Sequence, residues 1–551
     1  MMAVTVEEPP RVVVCREALD SHTLQEFVKH GKSLSGDSFG FPTTAAAGGG
    51  SAATYAYYSP EWVWDMASRA IRIYCDQHGI PIRNSNTTPL VIGFRIYASI
   101  ESVITLLALI RMGHIILLIA PTLPQEHVQL LVKEASCKLV VNGTANSIYS
   151  SIPLPTKEQL LKVRTVSADG DICWTPPAES TGVSEEIAVM IHSSASSGAP
   201  KLVPKSHRSL LSTLRGLPPV FHDKTFFMGS WLHWMAGFSG ILFSFVRSGA
   251  RASWSREDAS AHEASSATIL AETRPQVVWV QPSFIYQAAE TSEGIDALRR
   301  CIMVVCVGGV LASSTADRLL AAGVRLATEY GMTEVPFGLS SAASAGDARY
   351  WDYAQPDAET APHLVFRPLG DEEGSVWAGG EQLFELVVLP TLPGMDAKKW
   401  ANRADGSLHT GDVFVKHPSQ ERYKCLGRRS DVLEVNPTAV DCVLLLSRSY
   451  EDAVEKCHAD VVDAALLAGQ RRERPVLLVF VKKECRLSDQ DVLNRIRATV
   501  DQCVNGHVPV PLDRDMIVVV RDEVVPRTPK GEIMRAEATY RFRYVIDRAY
   551  D

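Results

Sequence analysis

The chain has 551 residues, which is too long for a single hydrophobic core, so we expect two or three packing units. An apolar content of 46% and a charged content of 21% are typical of a soluble globular enzyme. The net charge of −8 excludes a general polyanion binder, because neutralising phosphates requires a basic face. We therefore expect no nucleic-acid partner.

The cysteines and the N-terminus both predict a protein that stays in the cytoplasm. The 11 cysteines include no Cys-x-x-Cys pair, which favours reduced thiols. Segment 1–14 has acidic residues and prolines where a signal peptide needs a basic start. Segment 100–120 is the best membrane candidate, but Glu101, Arg111 and His114 interrupt it. A buried helix followed by a buried strand is favoured there, and no membrane partner is expected.

The elements predicted in chain order alternate between helices and short strands, after a low-complexity segment at 43–54. Such alternation predicts an α/β fold in which crossover helices wind around mixed or parallel sheets. Helices are predicted at 62–75, 99–110, 126–134 and 209–215, and strands at 90–94, 114–119, 138–141, 187–191, 276–280 and 303–307.

The last part of the chain has a separate set of elements. Strands are predicted at 476–481 and 516–520, and a helix at 488–504 with Ser488 as its N-cap. These elements suffice for a small α+β domain. We predict a large N-terminal domain at 1–428 and a small C-terminal domain at 429–551.

A cluster of small polar residues follows the strand predicted at 187–191. Small hydroxyl residues can present hydroxyls and backbone N–H groups to a polyphosphate, glycine allows close approach, and lysine adds positive charge. Such clusters are more often ordinary loops, so this one alone does not establish nucleotide binding. The candidate phosphate ligands are Ser193, Ser194, Ser196, Ser197, Gly198 and Lys201.

Segment 192–207, HSSASSGAPKLVPKSH, resembles the signature loop of the adenylate-forming superfamily, [HY]-T-S-G-T-T-G-x-P-K. That superfamily includes acyl-CoA synthetases, luciferases and the adenylation domains of nonribosomal peptide synthetases. Ala195 stands where the family has glycine. Further segments resemble the family's motifs in the family's order: WLHWMAG at 231–237, VQPS at 280–283, VGG at 307–309, EYGMTE at 329–334, TGD at 410–412 and GRRSD at 427–431.

The resemblance implies an ATP and Mg²⁺ site. Tyr330 offers a face that can stack on adenine, Thr333 a hydroxyl for a phosphate oxygen, and Glu334 a hard oxygen ligand for Mg²⁺. Asp412 and Arg428 are implied at the ribose. The other residues implied at the nucleotide are Gly308, Gly309, Glu329 and Gly331, and the hinge residue is Ser430 or Asp431.

The resemblance also implies a pocket for a small-molecule carboxylic acid. Segment 231–237 has no aspartate, which adenylation domains for α-amino acids usually carry to pair with the ammonium group. An aryl or other non-amino acid is therefore favoured. The residues implied at this pocket are His233, which we also place among the catalytic residues, Trp234, Met235, Val307, Gly308 and Met332.

The C-terminal motif departs from the common pattern. Segment 525–535 reads VPRTPKGEIMR, whereas most of the superfamily ends in P-x-T-x-S-G-K-I-x-R. Glu532 occupies the position of the catalytic lysine, and Lys530 stands two residues earlier. The P-R-T-P-K-G arrangement is similar to that of fungal nonribosomal-peptide-synthetase-like proteins. Lys530 is our candidate for the catalytic lysine, with a solvated turn lysine as the alternative.

The predicted reaction is activation of a carboxylic acid by Mg·ATP to acyl-AMP and pyrophosphate, within fungal-type secondary metabolism. The acyl acceptor would be CoA, an amine, an alcohol or a separate carrier protein. Three interpretations stay open: a freestanding ligase, an adenylation domain of a larger synthetase or reductase, and a catalytically impaired nucleotide-binding scaffold. Ala195 and Glu532 motivate the third.

Overall fold

The computed structural model describes residues 16–34, 38–42, 55–84, 87–142, 148–163, 173–175, 182–194, 200–215, 224–245, 252–253, 265–335, 338–345, 347–369, 376–377, 382–435, 443–507, 512–527 and 533–551. The low-complexity segment 43–54 lies outside these residues. The described chain divides into two compact units. The first comprises the described residues of 1–195, 199–362 and 391–400, and the second those of 363–390 and 401–551. The domain boundary predicted after Arg428 stays a prediction.

The first unit is built on two sheets whose inner strands are largely parallel. Its strands are β1 (Phe39–Pro42), β2 (Tyr55–Tyr58), β3 (Val91–Arg95), β4 (Ile115–Ile119), β5 (Leu139–Val141), β6 (Ser150–Ile152), β7 (Ile187–Ser194), β8 (Pro200–Ser206), β9 (Phe226–Met228), β10 (Ala252–Ser253), β11 (Val277–Val280), β12 (Met303–Val307), β13 (Leu326–Tyr330), β14 (Leu339–Ser340) and β15 (Gln355–Pro356). Its helices are α1 (Arg16–Leu19), α2 (Leu24–Gly31), α3 (Pro60–His78), α4 (Ile100–Arg111), α5 (Gln125–Glu134), α6 (Lys157–Lys162), α7 (His207–Arg215), α8 (Met235–Phe243), α9 (Ser266–Thr273), α10 (Pro282–Ala289), α11 (Ser292–Arg299), α12 (Ser313–Ala321) and α13 (Ala397–Trp400).

Strand order confirms the α/β prediction. The larger sheet runs β15-β14-β13-β12-β11-β9-β10-β1-β2, and the smaller runs β6-β5-β3-β4-β7-β8. Strands β9, β11, β12 and β13 pair in parallel. Helices connect β11 to β12 and β12 to β13, as parallel pairing requires.

Local sequence explains where the main helices begin and end. Ser59 and Ser99 accept a backbone N–H at the starts of α3 and α4, and Gly79 ends α3 in the left-handed region at φ 65°. The segment that competed as a membrane span is the buried helix α4 followed by the buried strand β4, as predicted. Across the described residues, no helix combines the length and the apolar character needed to cross a membrane.

The second unit contains three smaller sheets, ordered β16-β18-β19-β20, β17-β22-β21 and β23-β24-β25. Ser488 accepts the backbone N–H of Asp491 at 3.2 Å, which confirms the predicted N-cap. The strands are β16 (Leu364–Pro368), β17 (Val376–Trp377), β18 (Leu383–Val388), β19 (Leu408–Lys416), β20 (Tyr423–Arg428), β21 (Val432–Val435), β22 (Val443–Leu446), β23 (Val462–Ala468), β24 (Val476–Val481) and β25 (Ile517–Val520). The helices are α14 (Ser447–Cys457), α15 (Asp489–His507), α16 (Arg535–Arg541) and α17 (Arg543–Arg548).

Candidate active site

The described residues of the predicted phosphate loop, Ser193, Ser194 and Lys201, lie on the antiparallel strands β7 and β8. Strand β7 continues past the predicted end at residue 191, and Ser193 pairs with Lys201 on the antiparallel strand β8. The strand is longer than predicted because the hairpin partner supplies hydrogen bonds that a sequence pattern does not reveal. Ser196, Ser197 and Gly198 lie outside the described residues, as does Ala195.

Lys201 belongs to a small cationic group that the sequence analysis missed. Its Nζ lies 4.5 Å from the ring centroid of Trp400, and the Nζ of Lys399 lies 5.1 Å from the same ring. Burial lowers the pKa of Lys399; the charges of Glu134 and Asp396 oppose this shift, and the charge of Lys201 adds to it. Trp400 is buried, and its indole ring is within cation–π distance of both ammonium groups. Nearly 200 residues separate Lys201 from this partner, and no local signal predicts the pairing.

A buried lysine lies further along the same strand. Lys205 pairs with Val189 in the hairpin register and donates a long hydrogen bond of 3.4 Å to Ser209. Burial lowers the pKa of Lys205 to about 7, and the negative charge of Glu334 opposes this shift. The side chain is therefore close to the point at which it loses its proton at neutral pH. The alternation of side chains along β8 could have indicated that Lys205 is buried, since Lys205 lies on the same face of the strand as the apolar residue Val203.

An aromatic cluster surrounds His233. Its ring stacks on His192 with centroids 5.8 Å apart, and the Trp231 and Trp234 rings lie at 5.3 and 6.0 Å. His192 Nε2 accepts the backbone N–H of Ala120 at 3.1 Å, and burial lowers the pKa of His192 to about 4. His192 is therefore neutral at pH 7. The segment predicted to line the acid pocket thus packs its aromatic side chains around His233, next to a neutral His192.

Tight backbone packing holds this segment against α8. A Cβ added to Gly237 would lie 2.1 Å from the carbonyl oxygen of Trp231, a distance that no side chain can occupy. The turn at 231–234 therefore contacts the first turn of α8 through bare backbone. Trp234 is the N-cap residue of α8, and Met235 begins it.

The predicted nucleotide residues at 308–309 and 330–331 lie at the carboxyl ends of two neighbouring strands of the larger sheet. Strands β12 and β13 are parallel, with Val307 paired to Glu329, so both strands end there. Gly308 follows β12 with φ 75°, a conformation that favours glycine. Ligands of open α/β sheets characteristically bind at the carboxyl ends of the strands. The structure thus brings together two motifs that are separated in sequence.

Glu329 carries an unusual carboxyl group at this edge. Its Oε1 accepts a hydrogen bond from Ser340 Oγ at 3.2 Å. Burial raises the pKa of Glu329 to about 8, although the hydrogen bond from Ser340 acts in the opposite direction. The group is therefore mostly protonated at pH 7. The sequence placed Glu329 beside the nucleotide and gave no sign of this protonation state.

The remaining residues of the 329–334 motif follow β13. Gly331 is exposed, and Met332, Thr333 and Glu334 are partly exposed. Glu334 offers the carboxylate oxygen that Mg²⁺ prefers, and Mg²⁺ is commonly held by one or two carboxylates together with substrate phosphates. The described residues contain no group of three or more metal-ligating side chains. The assignment of Glu334 as the Mg²⁺ ligand stays a prediction.

The predicted ribose residues lie in the second unit and pair with each other. Asp412 on β19 is opposite Arg428 on β20, and Arg428 Nε lies 3.0 Å from Asp412 Oδ1. Arg428 Nη1 also donates to the carbonyl oxygen of Thr410 at 3.2 Å. Asp412 is buried and Arg428 exposed, so the arginine covers the carboxylate. Gly411, between Thr410 and Asp412, has φ 70°.

One of the two hinge candidates is firmly held within the second unit. Asp431 is buried, and it accepts hydrogen bonds from the Arg428 backbone N–H at 3.1 Å and from Arg535 Nε at 3.2 Å. Ser430 is exposed. Lys530 and Glu532 lie outside the described residues, so the assignment of the catalytic lysine, like that of the hinge, stays a prediction.

Comparison with known families decides the classification. The family model described as AMP-binding enzyme matches residues 90–385, more than half of the chain, and the model for the AMP-binding enzyme C-terminal domain matches residues 445–551. The chain belongs to the AMP-binding enzyme family. The sequence motifs predicted this family.

Fungal proteins are among the relatives of this family member. The adenylate-forming reductase Nps11 of Serpula lacrymans is 25% identical over 402 residues, which cover 66% of this chain and 34% of Nps11. The adenylate-forming reductase stbB of Stachybotrys bisbyi is 22% identical over 378 residues, covering 67% of this chain and 33% of stbB. The chain spans about a third of the length of these relatives.

Solved structures confirm the fold of this AMP-binding enzyme. The anthranilate CoA ligase AuaEII in complex with anthranoyl-AMP is 16% identical, with a TM-score of 0.66 over 97% of this chain and 98% of that one. The o-succinylbenzoate coenzyme A synthetase MenE of Bacillus subtilis, in complex with AMP, is 12% identical, with a TM-score of 0.65 over 96% and 98%. These likenesses establish the predicted architecture of a large N-terminal and a smaller C-terminal domain.

Proposed function

We propose that this chain activates a non-amino carboxylic acid with ATP, giving an acyl-adenylate and pyrophosphate. The observation that carries the proposal is the position of Gly308 and Tyr330 at the carboxyl ends of the paired parallel strands: Gly308 follows β12, and Tyr330 is the last residue of β13. The aromatic cluster around His233 supports an apolar or aromatic acid, and segment 231–237 contains no aspartate that could pair with an α-ammonium group.

In the proposed reaction, a carboxylate oxygen of the acid forms a bond to the α-phosphorus of ATP. The bond from that phosphorus to the bridging oxygen breaks, and pyrophosphate leaves with the electron pair. Catalysis of this kind depends on positioning and charge stabilisation. Lys201 would neutralise phosphate charge, Thr333 would donate to a phosphate oxygen, and Glu334 would hold Mg²⁺, which offsets the negative charge of the phosphates.

In the second unit, Asp412 would accept hydrogen bonds from the ribose hydroxyls. Its position on β19 is fixed by Thr410, whose hydroxyl accepts the Asp412 N–H at 3.1 Å and donates to Leu386 O at 2.8 Å. Arg428, paired with Asp412 at 3.0 Å, would orient the carboxylate. Lys530 is proposed as the lysine that stabilises the developing charge on the α-phosphate.

The acyl group would then pass to CoA, an amine, an alcohol or a carrier protein. The adenylate-forming reductases among the relatives support a place in fungal secondary metabolism, where activated acids are transferred onward. The acceptor is proposed by class alone.

The test is acid-dependent exchange of labelled pyrophosphate into ATP, with a panel of aryl, arylpyruvic and aliphatic acids and α-amino acids. We expect exchange with a non-amino acid. Asp412→Asn should lower kcat/KM for ATP about 10- to 100-fold, because a charge-assisted hydrogen bond contributes about 1.5–3 kcal/mol. Asp460→Asn, which changes an aspartate that is 59% exposed, is the matched control and should leave exchange unaltered.

Two results would count against the proposal. ATP binding measured by calorimetry, with no exchange for any acid, would favour a nucleotide-binding scaffold. Clear preference for an α-amino acid would overturn the assignment of the acid class while leaving the activation step in place.

A further inference from the structure

Residues 410–412 form a bulge in strand β19. Glu385 of β18 pairs with Val413, whereas Val387, two residues further along β18, pairs with His409, four residues back along β19. The three residues 410–412 therefore lie opposite a single residue of β18. A bulge interrupts the ladder of backbone hydrogen bonds, so the N–H groups within it need other acceptors.

Side chains supply those acceptors. The backbone N–H of Gly411 donates to Glu385 Oε1 at 3.1 Å, and the N–H of Asp412 donates to Thr410 Oγ1 at 3.1 Å. Gly411 has φ 70°, and glycine populates many other backbone conformations with little cost. The bond from Gly411 to Glu385 thus restrains the most adaptable residue of the bulge, directly before Asp412.

Glu385 is itself held by His409, whose Nδ1 lies 3.1 Å from Glu385 Oε2. A carboxylate only accepts hydrogen bonds, so Nδ1 is the donor, while Nε2 faces Nη1 of Arg367 at 3.5 Å. The side chains of Glu385 and His409 are only 17% and 8% exposed. Asn402 fixes the backbone of His409 through two hydrogen bonds, of 2.9 and 2.8 Å. Both oxygens of Glu385 therefore have a partner, which fixes the direction of the carboxylate.

We propose that Glu385 and His409 are positioning residues for the nucleotide ribose, which act through Gly411 on the carboxylate of Asp412. This inference rests on the proposed function, in which Asp412 accepts hydrogen bonds from the ribose hydroxyls. A binding group is effective when surrounding hydrogen bonds hold it in its productive orientation. Glu385 and His409 are 24 residues apart, and the bulge brings both of them beside Gly411.

The experiment compares ATP with 2′,3′-dideoxy-ATP in pyrophosphate exchange with one accepted acid. Glu385→Leu should lower kcat/KM for ATP about tenfold, the effect of one lost charge-assisted hydrogen bond. It should change kcat/KM for dideoxy-ATP less than about twofold, because that nucleotide has no ribose hydroxyl for Asp412 to bind. The loss with ATP should appear mainly in KM, since the ribose hydroxyls do not react.

Two further variants separate positioning from a role in stability alone. Glu385→Gln should keep kcat/KM for ATP within about threefold of the native value, because the amide oxygen can accept the Gly411 N–H and the amide nitrogen can donate to His409. His409→Leu leaves the bond to Gly411 in place and keeps the test available if Glu385→Leu does not fold. It should lower kcat/KM for ATP about threefold and leave that for dideoxy-ATP unaltered.

A double variant tests whether Glu385 acts through Asp412. Once Asp412→Asn has removed the charge that binds the ribose, adding Glu385→Leu should cost less than about threefold in kcat/KM for ATP, because residues that act through one interaction are not additive. The full tenfold loss on this background would contradict the assigned route. Glu484→Leu, at an exposed glutamate of the second unit, is the matched control and should keep native kinetics with both nucleotides.

The outcomes distinguish this inference from the proposed function. Equal losses with ATP and dideoxy-ATP, in whichever of the two leucine variants folds, would overturn the positioning role and leave acid activation intact. If no acid supports exchange, the proposed function fails, and calorimetry then measures Kd for both nucleotides. A Kd that rises about tenfold for ATP but not for dideoxy-ATP in Glu385→Leu, or about threefold in His409→Leu, would still support the positioning role. An unchanged Kd for ATP would overturn it.

Discussion

Lys205 is a buried cation whose protonation depends on the fold. Its pKa of about 7 in the folded chain lies below the ordinary lysine value near 10.4. Up to about pH 7, Lys205 is protonated in both the folded and the unfolded state. Its buried charge then lowers the free energy of unfolding. Between pH 7 and about 10.4 only the unfolded state stays protonated, so the free energy of unfolding rises with pH.

Lys205→Met should therefore stabilise the first unit, and most at low pH. The expected gain at pH 6 is on the order of a few kcal/mol, and it should shrink toward pH 10, because the native lysine is then neutral. Denaturant unfolding at pH 6 and pH 9.5 measures both values. Lys162→Met, at a lysine that is 73% exposed, should change stability by less than about 0.5 kcal/mol. An equal gain at both pH values would contradict the assigned cause.

At the scale of elements, the turn at 231–234 that carries His233 depends on the close approach of its backbone to Gly237 of α8. Gly237→Ala would place a Cβ 2.1 Å from Trp231 O and 2.8 Å from Ser230 O, both backbone atoms. We expect a loss of about 1–3 kcal/mol in the free energy of unfolding, as in other overpacked sites. We also expect a lower kcat/KM for the acid, because Trp231 and His233 must shift.

Thermal unfolding and exchange kinetics test this prediction together. Gly182→Ala is the matched control, because its added Cβ would meet nothing within 4 Å and its φ is −108°. In the control, the free energy of unfolding and kcat/KM for the acid should both keep their native values. A Gly237→Ala variant with native stability would show that helix α8 can shift to accommodate the methyl group, contrary to our expectation.

Element positions followed from sequence where hydrophobic periodicity was strong, as in α3 and α4. The end of β7 did not follow, because the pairing of Ser193 with Lys201 extends the strand into polar residues. The pKa of Glu329 did not follow either, because it depends on burial at a sheet edge formed by distant segments. The family was predictable by motif, whereas the electrostatics of Glu329 required the fold.

At the scale of the whole molecule, each unit has core clusters of its own. The cluster around Phe238 and Trp279 draws its members from the first unit, and the cluster around Phe480 draws its members from the second. In the second unit, Arg535 joins the core to the hinge candidate. It donates to Glu451 at 2.8 and 2.7 Å and to Asp431 at 3.2 Å, and its side chain is 10% exposed.

Arg535→Met should destabilise the second unit by about 3–5 kcal/mol, because removing one member of a buried ion pair leaves its carboxylate partners uncompensated. Hydrogen exchange should accelerate at amides of β23 and β24, while amides of β11 and β12 keep their native rates. The control is Arg472→Met, which removes an ion pair to Asp547. Because Arg472 is 49% exposed, the exchange rates of both sets of amides should stay unchanged. Equal acceleration in both units would mean that they unfold as one cooperative body. The separation of their cores argues for the selective outcome, since unfolding free energies can differ between cooperative segments of one chain.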